Sequence, residues 1–158
     1  MLSRRRRRTA SGGSTTRIAV DANTVLSGLF FRGNERQLLL QSLVGNIVLV
    51  FAEDVVEEVY AVIQETFRNH TELLRALEFL EAVFGAGELL ARREYRSQID
   101  AWRHRIRDPK DAPLAAAALV ARVDGLVTGD KDLLDVERVG TIPVLRTRKV
   151  LDLLSDEQ

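Results

Sequence analysis

The sequence contains no cysteine, and it has only two histidines and one tryptophan in 158 residues. Without cysteine the chain has neither disulfides nor thiolate ligands for zinc. Two histidines, His70 and His104, are too few for a histidine-rich metal site. If a metal binds, oxygen ligands must hold it, which favours Mg²⁺ or Mn²⁺. No apolar run approaches the roughly 20 residues of a membrane-spanning helix, so we expect no membrane association.

Basic and acidic residues number 23 each, but they are unevenly distributed. Residues 1–17 hold six arginines and no acid, so the rest of the chain is acidic. The composition predicts a disordered, Arg-rich tail over residues 1–16 and one globular domain over 17–154. The tail is either a solvated extension or a non-specific RNA-binding arm. Its composition also resembles an organellar transit peptide, although it lacks an apolar face.

Short apolar runs alternate with helical patterns from residue 17 onward. Strands are predicted at 17–21, 47–51, 88–91, 125–128 and 141–145. Helices are predicted from about 23, and at 35–44, 52–68, 71–84, 111–122, 131–136 and 149–154. Pro143 suggests that the last strand lies at an edge, and residues 94–107 fit neither pattern. The alternation predicts an α/β fold with a parallel sheet.

Three acids are predicted to lie at one edge of this sheet. Asp21 ends the first strand, Asp130 follows the strand at 125–128, and Asp111 begins the Ala-rich helix. In an open parallel sheet, ligands bind beyond the carboxyl ends of the strands, where the strand order reverses. If the strands of Asp21 and Asp130 flank that reversal, their carboxylates face one crevice.

Glu58 is predicted to join them from the helix at 52–68. On a helical wheel it borders the apolar stripe that includes Val55 and Val59, whereas Glu57 lies on the opposite side. A carboxylate beside a buried face needs a cation or hydrogen bonds. Glu58 could therefore turn towards the sheet.

Each acid also has a purely structural explanation. Asp21 and Asp111 could be helix N-caps, Asp130 a turn residue and Glu58 half of a surface ion pair. Four carboxylates at one edge would nevertheless repel one another unless a cation neutralises them. A divalent cation would meet that need, and Asp132 could contact it directly or through water. Asn23 and Thr128 could hydrogen-bond the ligating carboxylates. They could equally be polar residues of the kind that commonly start a helix or end a strand.

Three stretches resemble one known family, the PIN domain (PilT N-terminus-like). They are DANTVLSGLF at 21–30, VVEEVYAVI at 55–63 and RDPKDAPLAAAAL…VDGLVTGDKDLLDV at 107–136. The likeness is greatest to a bacterial group assigned to the toxin components of toxin–antitoxin systems, and it covers residues 17–154. It implies a three-layer α/β/α sandwich whose first and fourth strands flank the reversal. The resemblance implies that the metal-binding acids of the family correspond to Asp21, Glu58, Asp111 and Asp130. A fifth, less regular acid of the family corresponds to Asp132. The polar residues near the family's metal site correspond to Asn23 and Thr128.

The resemblance implies a metal-dependent ribonuclease in which Mg²⁺ or Mn²⁺ activates water for in-line attack on a phosphodiester. The products would carry 5′-phosphate and 3′-hydroxyl ends. It also implies an antitoxin protein as partner, and we further expect a homodimer and a cytoplasmic location. The candidate RNA-binding strip is Arg103, Arg105 and Arg107 with His104, beside Trp102, which is either a stacking surface or part of the core.

Two other functions remain open. A non-catalytic RNA-binding or antitoxin-binding module would not need Asp21. The other alternative is a haloacid-dehalogenase-like phosphatase, because the residues around Asp21 and Gly129-Asp130 resemble the first and last motifs of that family. That chemistry needs an acid two residues after the nucleophile, however, and Asn23 cannot protonate a leaving group.

Overall fold

The structure is a computed structural model that describes residues 15–156, apart from the side chain of His70. Residues 1–14 of the predicted disordered tail lie outside the described residues. Thr16 already takes part in the fold, because its carbonyl accepts a hydrogen bond from the Val48 N–H at 2.9 Å.

Strands and helices alternate through the described residues. The strands are β1 (Arg17–Val20), β2 (Val48–Ala52), β3 (Glu88–Leu90), β4 (Gly125–Val127), β5 (Arg138–Val139) and β6 (Ile142–Leu145). The helices are α1 (Ala22–Phe30), α2 (Asn34–Leu43), α3 (Glu53–Thr66), α4 (His70–Ala86), α5 (Arg92–Arg103), α6 (Ala112–Ala121), α7 (Lys131–Val136) and α8 (Thr147–Asp156). A 3₁₀ turn, Pro109–Asp111, leads directly into α6.

The sheet has the order β3-β2-β1-β4-β6-β5, and all neighbours are parallel except β5 and β6. Helices flank it in a three-layer α/β/α arrangement, with α5 packed on α6 and α1 packed on α2. The strand order reverses between β1 and β4, whose last residues Val20 and Val127 are in register. The expected fold class and reversal point are therefore confirmed.

Burial of apolar side chains explains which segments form the centre of the fold. Every residue of β1, β2 and β4 is buried, as expected for strands covered on both faces. In α3 the buried positions are Val55, Val59 and Ile63, one helical turn apart. Burying each such side chain stabilises the fold by about 1.5–3 kcal/mol. Within the described residues, none of the helices has both the length and the apolar composition needed to cross a membrane.

A buried ion pair fixes the edge of the sheet at which the strands begin. The Arg17 guanidinium contacts the Glu88 carboxylate at 2.6 Å and donates a hydrogen bond to the Ala121 carbonyl at 2.7 Å. The Arg17 N–H donates to Asp124 Oδ2 at 2.8 Å. These contacts join β1, β3 and the loop before β4, and so help to hold the strands whose opposite ends carry the acids.

Two parts of the fold differ from the sequence prediction. The strand containing Pro143 is not an edge strand, because β6 lies between β4 and the short β5. Proline is tolerated there because pairing of β6 with β4 begins only at the next residue, Val144. On the other side of β6, the Val144 N–H donates a hydrogen bond to the Glu137 carbonyl at 2.9 Å. The segment that could not be assigned is largely the helix α5. It buries Tyr95 and Trp102, which lie seven residues apart on one face.

Candidate metal centre

Asp21 directly follows β1 and is the N-cap of α1. Its Oδ1 accepts a hydrogen bond from the Thr24 N–H at 2.8 Å, and its Oδ2 accepts one from the Thr128 hydroxyl at 2.5 Å. The structural explanation of Asp21 as a cap is therefore correct. It does not exclude a ligand role, because each carboxylate oxygen keeps a further lone pair.

Thr128 connects the ends of β1 and β4. Its side chain is almost fully buried, and its hydroxyl accepts a hydrogen bond from the Asp130 N–H at 3.0 Å while donating to Asp21. Asp130 is the N-cap of α7, with Oδ1 accepting from the Asp132 N–H at 2.8 Å. The sequence thus places two carboxylates on adjacent strand ends and one hydroxyl between them.

Asp111 ends the 3₁₀ turn at the N-terminus of α6, yet its side chain forms no capping hydrogen bond. Its Oδ2 is buried and accepts no hydrogen bond from any residue that the structure describes. Burial, followed by the negative charges of Asp130, Asp108, Asp21 and Asp132, raises the pKa of Asp111 to about 6. Asp111 therefore occupies the N-cap position of α6, as the structural explanation had it, but its side chain does not cap the helix.

Three carboxylates lie close together at this edge, those of Asp108, Asp111 and Asp130. One oxygen from each lies within 4.8 Å of the other two. Asp108 begins the turn and is not among the acids that the sequence selected, yet its carboxylate joins the group. The available signal was its spacing of three residues from Asp111, because side chains at i and i+3 eclipse in a 3₁₀ turn.

The charge at this site is not balanced by nearby bases. Five acids lie at or near this edge: Asp21, Asp108, Asp111, Asp130 and Asp132. Within the described residues they make one ion pair, between Arg107 and Asp132 at 3.7 Å, and the Arg107 side chain is 82% exposed. Near a protein surface, two like charges about 4 Å apart repel by about 4 kcal/mol. An exposed ion pair contributes only about 0.2–1 kcal/mol and cannot offset that repulsion. A hard divalent cation fits the donors, because they are all carboxylates and one buried oxygen lacks a partner.

Of the predicted site residues, only Asp111 and Asp130 belong to this group of three carboxylates within the described residues. Asp21, Asp132, Glu58 and Asn23 are not part of it. Glu58 is on the second turn of α3 and is exposed, and within residues 15–156 its carboxylate forms neither a hydrogen bond nor an ion pair. Its neighbour Glu57 contacts Arg92 at 2.6 Å. Asn23 is exposed in the first turn of α1. The roles of Glu58 as a ligand and of Asn23 as a hydrogen-bond donor stay predictions.

The basic strip at the end of α5 and in the loop after it is exposed. Arg107 reaches Asp132, and Arg103 contacts Asp100 at 3.4 Å. The Arg105 guanidinium lies 5.4 Å from the centre of the Trp102 ring. Trp102 is only 8% exposed, so it belongs to the core and does not offer a stacking surface.

The sequence matches a known protein family. A sequence model of the PIN domain matches residues 17–132. The chain belongs to the PIN domain family. This match includes Asp21, Asp111, Asp130 and Asp132. A search of curated protein sequences finds no match.

Several solved structures share this PIN fold at low sequence identity. PAE2754 from Pyrobaculum aerophilum has a TM-score of 0.64 at 16% identity, with 89% of this chain and 90% of that chain covered. A toxin–antitoxin complex from Klebsiella pneumoniae gives 0.60 at 16%, covering 82% and 97%. FitAcB from Neisseria gonorrhoeae gives 0.60 at 19%, covering 83% and 98%.

Proposed function

We propose that this PIN domain is a metal-dependent endoribonuclease and the toxin of a toxin–antitoxin pair. The observation that carries the proposal is the buried, unpartnered Oδ2 of Asp111 in a group of carboxylates at the strand-order reversal. Burial without a hydrogen bond is unfavourable for a carboxylate. A cation at this point would satisfy that oxygen and neutralise its neighbours.

The residues that would hold the cation are Asp21, Asp111 and Asp130, with Asp132 contacting it directly or through water and Glu58 completing the set. When bound, Mg²⁺ or Mn²⁺ lowers the pKa of a water and stabilises charge on the departing oxygen of a phosphodiester. The hydroxyl of Thr128 holds Asp21 and the backbone of Asp130 in fixed positions. A carboxylate of the group would orient the attacking water and accept its proton.

The exposed arginines beside the site would bind the substrate. Arg107 already reaches Asp132 at the rim of the acidic group. Arg103 is the last residue of α5, and Arg105 lies between the two in the chain. Arg103 and Arg107 have weak, exposed acidic partners that an RNA phosphate could replace. We therefore assign phosphate binding to Arg103, Arg105 and Arg107.

A direct test uses purified protein and a pool of single-stranded RNA with Mg²⁺, Mn²⁺ or EDTA. We expect cleavage with either metal, no cleavage in EDTA, and products that a 5′-phosphate-dependent exonuclease degrades. Equal cleavage in EDTA would contradict the metal requirement. Binding of RNA without cleavage under all conditions would favour the alternative, a non-catalytic RNA-binding or antitoxin-binding module.

The toxin role rests on the family and on one structural relative that is a toxin–antitoxin complex. We propose a small antitoxin protein as partner, a homodimer as the assembled state and the cytoplasm as the location. Purification of the chain co-expressed with its neighbouring gene, followed by sedimentation analysis, tests the partner and the dimer together. The phosphatase alternative is disfavoured, because Asn23 carries no acidic proton and cannot protonate a leaving group.

A further inference from the structure

Asp108 is held in place by the turn that it begins. Its Oδ1 accepts a hydrogen bond from the Lys110 N–H at 3.0 Å, and its backbone carbonyl accepts one from the Asp111 N–H at 3.0 Å. These bonds close the 3₁₀ turn and put the side chains of residues 108 and 111 on the same side. The turn therefore presents two carboxylates, and not one, to the end of β4.

The capping role does not explain why residue 108 is charged. A cap needs one acceptor oxygen, and asparagine caps as well as aspartate. Aspartate adds a negative charge within 4.8 Å of Asp111 and Asp130, and none of these three carboxylates has an ion-pair partner among the described residues. The charge is unfavourable in the fold alone.

We propose that Asp108 is a direct ligand of the divalent cation, together with Asp111 and Asp130. The inference rests on the metal site of the proposed function and adds to it a residue that the family resemblance does not supply. Three carboxylates around one divalent cation leave one net negative charge in place of three. They also leave room for the water molecules that Mg²⁺ retains when protein carboxylates bind it.

The test is the equilibrium affinity for Mn²⁺ alone, measured from the electron paramagnetic resonance signal of free Mn²⁺ without RNA. The variant Asp108→Asn keeps the capping oxygen, and Asp108→Ser provides a second capping side chain. We expect both to raise the Kd for Mn²⁺ by about tenfold or more, because altered metal-site residues typically cost at least that much. Asp135→Asn removes an equal charge from an exposed position at the end of α7 and should change the Kd by less than about twofold.

The outcomes separate this inference from the proposed function. If Asp130→Asn weakens Mn²⁺ binding while both Asp108 variants bind like the wild type, Asp108 is only a cap and the proposed metal site stands. If the wild type itself binds no Mn²⁺, the metal site and the role of Asp108 are both wrong. A loss in Asp108→Asn equal to that in Asp135→Asn would also overturn the proposal, because it would reflect net charge alone.

Discussion

The hydroxyl of Thr128 donates a hydrogen bond to Oδ2 of Asp21 at 2.5 Å, and the two residues are 107 positions apart in the sequence. The same hydroxyl accepts the Asp130 N–H at 3.0 Å. One buried side chain therefore sets the positions of two proposed metal ligands on adjacent strands. The acids are oriented by the fold before any cation binds, which reduces the cost of ordering them.

Removing this hydroxyl should weaken the site without unfolding the protein. Thr128→Val keeps the shape of the side chain but leaves Asp21 Oδ2 and the Asp130 N–H without their partner. We expect the Kd for Mn²⁺ to rise by about tenfold, the lower end of the range for residues that orient metal ligands. Thr128→Ser, which retains the hydroxyl, should bind nearly as well as the wild type. Equal affinity of the valine and serine variants would refute the orienting role.

The raised pKa of Asp111 should make the stability of the metal-free protein depend on pH. Burial and the neighbouring acids raise this pKa from 3.8 to about 6, so the folded state holds the proton more tightly than the unfolded chain. The resulting stabilisation is complete below pH 3.8 and is lost as the pH rises through about 6. Asp111→Asn cannot ionise and therefore should gain stability relative to the wild type as the pH rises.

Thermal denaturation in EDTA measures this difference directly. The Tm of Asp111→Asn minus that of the wild type should increase between about pH 4.5 and pH 7.5. Asp135→Asn, an exposed acid outside the group, should show a nearly constant difference. A constant difference for Asp111→Asn as well would mean that the carboxyl titrates alike in the folded and unfolded chains.

Glu58 and Glu57 offer a matched pair of adjacent acids. Glu57 forms an ion pair with Arg92, whereas Glu58 makes no ion pair within the described part of the chain. If Glu58 serves the metal site, Glu58→Gln should lower the rate of RNA cleavage by about tenfold. Glu57→Gln should retain the rate and at most lower the stability slightly. A larger loss of cleavage rate in Glu57→Gln than in Glu58→Gln would show that Glu58 does not correspond to the metal-binding acid of the family.

The arginine strip can be tested through the salt dependence of RNA binding. Each phosphate contact with single-stranded RNA contributes about 0.7 to the slope of log K against log salt concentration. Replacing Arg103, Arg105 or Arg107 by alanine should each reduce that slope by about this amount. Arg148→Ala removes an exposed arginine whose hydrogen-bond and ion-pair partner among the described residues is Asp152, and it should leave the slope unchanged. Equal slopes for all four variants would place the RNA elsewhere.

The parts of the fold that the sequence predicts are those whose burial leaves a pattern. The strand at 47–51 is apolar throughout, and the stripe that includes Val55 and Val59 repeats at helical spacing. The helix α5 is not predicted because most of its residues are charged or polar, and its inner face carries only Tyr95, Trp102 and the partly buried Ile99. The two residues of β5 have no pattern at all, so the interior position of β6 could not be foreseen.

The site was partly predictable for the same physical reason. Asp21 and Asp130 follow apolar strands, so the topology of a parallel sheet brings them to one edge. The contribution of Asp108 depends on a 3₁₀ turn, and the residues Pro109 and Lys110 do not distinguish this from other turns. Whether Asp111 caps its helix or leaves an oxygen unpaired also depends on geometry that the residue types do not determine.

We propose above all that the acidic group at the ends of β1 and β4 cleaves RNA with a bound cation. The most direct measurement is the initial rate of cleavage of single-stranded RNA in Mn²⁺ by the wild type, Asp130→Asn and Asp135→Asn. Asparagine at position 130 keeps the cap of α7, so the variant should fold. Asp130→Asn should lose several kcal/mol of stabilisation that the metal gives to the transition state, so its cleavage rate should fall by on the order of 100-fold or more. Asp135→Asn should cleave at a rate close to that of the wild type. A folded Asp130→Asn that cleaves RNA at the wild-type rate would contradict the account.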